Sequence, residues 1–199
     1  MQQTWYFIRH GQPQVTGHLL GRSNVELSKV GWQQLSKAVE SVSSGALVFS
    51  SPLKRCKEFA QHYAQLHGYQ FELDEALKEM DFGDWDGQSY ESLWQLTTKP
   101  TLGQFWQSPH LYTPPNGESL LEFKRRVEQW WCFQLDSNRS PHNVVFTHGG
   151  VIKQLVAYIL QIPISNSCIF SALDIEYGKV LKVKVYYDEQ DKGWPKVVF

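Results

Sequence analysis

Three short segments of this chain carry side chains suited to handling a phosphate group. Arg9-His10-Gly11 follows the apolar run Trp5-Tyr6-Phe7-Ile8. Arg55 follows Ser50-Ser51-Pro52 at the end of a second apolar run. Thr147-His148-Gly149-Gly150 follows a third, Val144-Val145-Phe146. A guanidinium offers forked hydrogen bonds to phosphate oxygens. An imidazole can act as a nucleophile, acid or base. Gly149-Gly150 can open a helix whose unpaired N–H groups attract anions. Each segment alone says little. Arg-His-Gly arises by chance, a histidine at a strand end is usually a hydrogen-bonded structural residue, and a single helical arginine is usually solvated. The weight comes from finding the same chemistry at each strand exit, because parallel strands deliver their carboxyl ends to one rim.

Other phosphate and hydrolytic chemistries leave signatures that this chain lacks. It has no Gly-x-x-x-x-Gly-Lys loop, no His-Glu-x-x-His and no Gly-x-Ser-x-Gly. Cys132 comes closest to a cysteine-phosphatase spacing, but Arg139 lies one residue too far along. Asp81, Asp84 and Asp86 could hold a divalent metal. Their setting, Met80 to Gly87, follows no apolar strand, so the metal reading ranks below the histidine one.

The elements that would position these residues can be read from pattern. Trp5 to Ile8, Ala46 to Phe49 and Val144 to Phe146 read as buried strands. Ser28 caps a helix running to about Val42, with Leu35, Ala38, Val39 and Val42 on one face. A second helix runs from Leu53 to about Leu66 and is closed by Gly68. A third, Glu118 to Leu135, is long and amphipathic. A fourth follows His148, with Ile152, Leu155, Val156, Ile159 and Leu160 as its apolar stripe. Ile169 to Tyr177 and Val180 to Tyr187 read as a closing hairpin turned at Tyr177-Gly178-Lys179. Strands alternating with helices predict an α/β three-layer sandwich, a mostly parallel sheet flanked by helices. The chain, 1–199, reads as a single domain. Residues 82–116, rich in aromatics and carrying four prolines, read as a cap insertion over one edge of the sheet.

Composition sets bounds on partners. The net charge of −1 suggests no nucleic-acid or membrane-surface binder, so an anionic ligand needs a local cation cluster. The three cysteines, Cys56, Cys132 and Cys168, are odd in number and widely spaced. They fit reduced thiols in a cytoplasmic protein better than a disulfide framework or a zinc site. No signal peptide is read at the N-terminus, and Val151 to Ile164 is too interrupted to span a membrane.

The ordered set of motifs resembles the histidine phosphatase superfamily, the phosphoglycerate-mutase-like proteins. The motifs are Arg9-His10-Gly11, Leu27-Ser28-x-x-Gly31, Ser51-Pro52-Leu53-x-Arg55, Leu77-Lys78-Glu79, Pro115 to Ser119 and Thr147 to Gly150. The resemblance implies that His10 is the nucleophile and becomes a phosphohistidine. It implies that Arg9, Arg55 and His148, with Gly149, hold the transferring phosphoryl group. Glu79 is then the acid that protonates the leaving oxygen and afterwards activates water; no metal or other cofactor is required. Neighbouring arginines favour a neutral imidazole and stabilise the equatorial oxygens of the transition state. Many relatives carry Ser or Thr at position 13, Asn at 16 and Asp at 24, where this chain has Pro13, Thr16 and Asn24. Gln12, Thr16 and Asn24 are therefore candidates to complete the phosphate pocket.

Within the family, Glu79 to Gly87 is most similar to alpha-ribazole phosphatases, which imply alpha-ribazole 5′-phosphate as substrate and cobalamin nucleotide-loop assembly as setting. The aromatic segment could then stack on the dimethylbenzimidazole ring. A broad-specificity phosphatase and a phosphoglycerate mutase are the alternatives inside the family, and a non-catalytic phospho-ligand binder the alternative outside it. The expected partners are a small-molecule phosphate monoester and a second copy of the chain in a homodimer, with neither nucleic acid nor membrane.

Overall fold

A computed structural model describes residues 2–42, 47–166 and 168–198. The helices and strands follow in the order β1 (Gln2–Arg9), α1 (Lys29–Val39), β2 (Leu47–Ser50), α2 (Lys54–His67), β3 (Phe71–Leu73), α3 (Tyr90–Gln95), α4 (Leu102–Gln107), α5 (Leu120–Ser137), β4 (His142–Thr147), α6 (Gly149–Ile159), α7 (Ile169–Ala172), β5 (Val180–Tyr187) and β6 (Gly193–Val198). Ala46, placed in the second strand by pattern, lies outside the described residues.

The sheet order is β3-β2-β4-β1-β5-β6. The pairs β3-β2, β2-β4 and β4-β1 are parallel, and β1-β5 and β5-β6 are antiparallel. Central strands of such a sheet are buried on both faces, so they read as continuous apolar runs. Successive side chains still alternate between faces. Trp5, Phe7, Phe49 and Val145 pack on one face with Trp130 and Trp131 of α5 and Ile152 and Leu155 of α6. Tyr6, Ile8, Val48, Val144 and Phe146 pack on the other with Leu35 of α1 and Cys56, Phe59 and Ala60 of α2. The layered α/β architecture is thus a helix layer on each side of the sheet.

Local chemistry explains the helix ends. The Ser28 hydroxyl accepts from Gly31 N–H at 3.0 Å and caps α1. Helix α1 stops at Val39, short of the expected Val42, because its last bonds tighten to Glu40 N–H to Lys37 O and Val42 N–H to Val39 O. Gly68 closes α2 in the left-handed region, φ 67°. Ser119 and Glu122 form a capping box that starts α5 at Leu120.

The C-terminal expectation needs correction. Ile169 to Tyr177 is not a strand. Ile169 begins the short helix α7 and packs on Val156 and Ala157 of α6. Tyr177-Gly178-Lys179 does not turn a hairpin; Gly178 N–H reaches the carbonyls of Arg9 and His10 at the end of β1. The hairpin is β5-β6, turned at 188–192. Strand β6 escapes a pattern search because it holds Gly193 and Pro195, which an edge strand tolerates. In residues 82–116, Phe82, Trp85, Leu93, Leu102 and Phe105 are buried and continuous with the α5–α6 core.

Trp131 is fully buried, with its ring edge-on to Trp5 at 5.1 Å and to Phe7 at 5.6 Å. Trp131→Ala should cost about 3–5 kcal/mol, read as a lowered midpoint in guanidinium unfolding. A loss under about 1 kcal/mol would mean that this face of the sheet is not where the core is tightest.

Candidate active site

The strand register assembles the site. Arg9 of β1 pairs with Thr147 of β4, and Ser50 of β2 pairs with Phe146. One residue further, His10 N–H donates to Thr147 O at 2.9 Å and Ser51 N–H to Phe146 O at 3.0 Å. His10 and His148 thereby stand side by side, ring centres 5.1 Å apart. The His10 loop is pressed onto the start of α1. A Cβ at Gly11 would lie 2.1 Å from Gly31 O, and one at Gly31 2.2 Å from Gln12 O, so both positions need glycine.

The hydrogen bonds assign the imidazole tautomers. His10 Nδ1 lies 2.8 Å from Gly11 O, which can only accept, so Nδ1 carries the proton and Nε2 keeps its lone pair. Arg55 Nε donates to His148 Nδ1 at 3.3 Å, so the His148 proton sits on Nε2, 2.8 Å from Ser51 Oγ. Arg55 is fully buried. Its Nη1 donates to Ser23 O at 2.7 Å and its Nη2 to Gly21 O at 2.7 Å. Asp86 holds that loop in turn, accepting from Gly21 N–H at 3.0 Å, Ser23 N–H at 2.9 Å and the Ser23 hydroxyl at 2.8 Å.

Glu79 is fixed from two sides. Its carboxylate accepts from Gly150 N–H at 3.0 Å and from Met80 N–H at 3.1 Å. A Cβ on Gly150 would lie 2.2 Å from Glu79 Oε1, which is why the second glycine of the pair is needed. Arg126 braces the backbone ahead of Glu79, donating to Ala76 O at 2.7 Å and Lys78 O at 2.9 Å. The Arg126 fork is held by Glu118 at 2.9 and 2.8 Å. Glu118, from the Pro115 to Ser119 motif, therefore acts on the site through Arg126.

A cavity of about 280 Å³ opens above these residues. Arg9, His10, Glu79, Gly149 and Gly150 form its polar end, and Phe82, Phe105, Trp106 and Phe170 much of its apolar wall. Arg55 and His148 are fully buried behind that polar end and do not line the cavity. Gln12, Thr16 and Asn24 do not line it either. Backbone groups of Gln12 bind Ser28 and Gln34, Thr16 is exposed, and Asn24 Oδ1 accepts from Lys54 N–H at 2.8 Å at the start of α2. Asp81, Asp84 and Asp86 serve separate partners, namely Gly83 N–H, the Asn116 amide and the 21–23 loop. Among the described residues, no group of three or more His, Cys, Asp or Glu could hold a metal.

Sequence reading missed Lys153, Tyr90, His18 and Tyr177, all of which line the cavity. Lys153 lies one helical turn beyond Gly149, a spacing that could have revealed it. Its ammonium donates to Phe170 O at 2.8 Å. Burial lowers its pKa and Arg9 adds to this, while Glu79 and Asp174 oppose it. Tyr177 carried no signal, having been taken up by the supposed turn.

Burial pushes the His10 pKa well below the ordinary histidine value, and the charges of Arg55 and Arg9 push further, against the Gly11 hydrogen bond. Burial does the same to His148, helped by Arg55, His10 and Arg9. The unfolded chain, with histidine pKa values near ~6.5, therefore binds more protons than the folded protein below that pH. Stability should be fully present above about pH 6.5 and decline as the pH falls toward about 5. Thermal melts across that window check this, and His10→Gln should flatten the slope. A melting temperature constant over the window would show that these imidazoles are not held neutral.

The model of the histidine phosphatase superfamily (branch 1) matches residues 5–191. A bifunctional protein of Mycobacterium tuberculosis is 33% identical over 91% of this chain, which spans 50% of that protein. The glucosyl-3-phosphoglycerate phosphatase of the same organism is 27% identical over 80% of this chain and 76% of its own length. The alpha-ribazole phosphatase of Shigella flexneri shares the fold, with a TM-score of 0.79 at 23% identity over 98% of this chain and 96% of that one. The strand-end imidazoles, the ordered motifs and the match along nearly the whole length have one meaning: this chain belongs to the histidine phosphatase superfamily.

Proposed function

We propose that this protein hydrolyses a small phosphate monoester through a phosphohistidine on His10. The observation that carries the reading is the His10 ring: Nδ1 is tied to Gly11 O, which leaves the Nε2 lone pair at the polar end of the cavity beside Arg9, Glu79 and Gly149. In the first step Nε2 attacks phosphorus and the bond from phosphorus to the ester oxygen breaks. Protonated Glu79 gives its proton to the departing alcohol. In the second step the Glu79 carboxylate takes a proton from water, the hydroxide attacks phosphorus and the P–N bond breaks. Orthophosphate leaves, and His10 is neutral again. Arg9, whose buried Nε has no hydrogen-bond partner among the described residues, and the Gly149 N–H at the start of α6 meet the phosphoryl oxygens. Arg55 and His148 support them from behind, Arg55 by its charge and His148 through the neighbouring ring.

The aromatic wall favours an ester with a flat apolar group, and alpha-ribazole 5′-phosphate is the substrate to try first. That choice places the protein in cobalamin nucleotide-loop assembly. Lys153 favours a second reading, a phosphorylated acid. Its half-buried ammonium has a backbone carbonyl as its hydrogen-bond partner, and a carboxylate would pair with it better. Turnover of alpha-ribazole 5′-phosphate compared with 3-phosphoglycerate separates the two readings.

His10→Ala should lower phosphate release at least about 10³-fold while the circular dichroism of the folded protein persists. Retained turnover would remove the nucleophile assignment. Glu79→Gln should slow alkyl phosphates about 10²- to 10⁴-fold and p-nitrophenyl phosphate much less, since a good leaving group needs little protonation. Equal slowing of both esters would argue against the acid role.

A further inference from the structure

The segment between α7 and β5 closes one side of the phosphate end of the cavity. Arg9 Nη1 donates to Ile175 O. Gly178 N–H donates to Arg9 O at 3.1 Å and His10 O at 3.3 Å. Between these anchors stands Tyr177, which lines the cavity. The Arg9 guanidinium lies 4.2 Å from the centre of its ring. The His10 imidazole leans on the same ring at 5.5 Å and 42°. Arg9 makes no ion pair among the described residues. Its guanidinium is thus held by a carbonyl and an aromatic face, both from 175–177.

We propose that Tyr177 is a positioning residue for the reaction: its ring is the plate that sets the plane of Arg9 and limits the rotation of His10 toward a bound phosphoryl group. The proposal rests on the reading of this cavity as a phosphate site. A carboxylate under Arg9 would hold it as firmly but would cancel its charge for an incoming anion. A ring holds the cation through its quadrupole and leaves the charge to the ligand. The arrangement also suits an arginine whose Nε is buried and unpartnered, because an anion is what that donor lacks. Pro13 is buried, paired across a bridge with Leu27, and Thr16 is exposed. Ile175 and Tyr177 thus supply this side of the cavity from the far end of the chain.

The test measures orthophosphate binding to the intact protein by calorimetry, together with KM and kcat for p-nitrophenyl phosphate. Tyr177→Leu should weaken orthophosphate binding and raise KM together, by about 5- to 30-fold, with a smaller change in kcat. Tyr177→Phe keeps the plate and should stay within about twofold of wild type in both. Melting temperatures of both variants should stay within a few degrees of wild type. Should Tyr177→Leu fail to fold, Tyr177→Met, an unbranched chain of similar length, carries the same expectation. Orthophosphate binding by Tyr177→Leu within about twofold of wild type would overturn the proposal. So would an equal loss in Tyr177→Phe, which would assign the effect to the hydroxyl. Absent turnover with intact orthophosphate binding would sink the hydrolase reading and leave Tyr177 still measurable. Absent orthophosphate binding in the wild type would overturn both.

Discussion

Arg55 carries its positive charge in a place that water does not reach, and much of the site is arranged around that fact. A buried guanidinium is tolerated when its donors are met and its charge is useful. Carbonyls of Gly21 and Ser23 meet two of its donors, and Asp86 holds the loop that presents them. Its Nε fixes the tautomer of His148, and its charge helps keep His10 and His148 neutral. A neutral His10 has a lone pair to offer, so one buried cation connects the loop at 20–23, the α2 helix and the His10 imidazole.

The parallel register between β1, β4 and β2 is the second constraint. It decides that the residues after Arg9, Thr147 and Ser50 meet at one rim. The glycines follow from the same crowding. Gly11 and Gly31 let the His10 loop dock on α1, and Gly150 lets the Glu79 carboxylate reach the start of α6. Motifs that look separate along the chain are in this sense paired surfaces. Leu27-Ser28-x-x-Gly31 receives the His10 loop, and Pro115 to Ser119 supplies the carboxylate that holds Arg126 against the Glu79 segment.

Much of this was legible from residue types. Buried strands announced themselves as apolar runs, Ser28 and Gly68 marked helix ends, and the strand exits carried His10, Arg55 and His148. Ile169 to Tyr177 misled because a short stretch of apolar residues broken by Ser171, Asp174 and Glu176 suits a strand or a packed helical turn equally well, and packing on α6 decides between them. Asn24 and Thr16 misled for another reason. A polar side chain near a site in sequence can turn to any donor within reach, and Asn24 turned to the first N–H of α2. Tyr177 left no trace, because its importance lies in a contact across most of the chain length.

The sequence by itself determined the family, the layered α/β order and the residue types that stand at the strand exits. These depend on local periodicity and on the order of motifs, which the unfolded chain already carries. Only the tertiary structure decided that Arg55 and His148 stand behind the cavity, that Arg9 and Glu79 face it, and that Tyr177 and Lys153 join its wall. Those outcomes depend on how distant segments compete for one volume and one set of hydrogen-bond donors. That competition is settled by packing, which no spacing along the chain encodes.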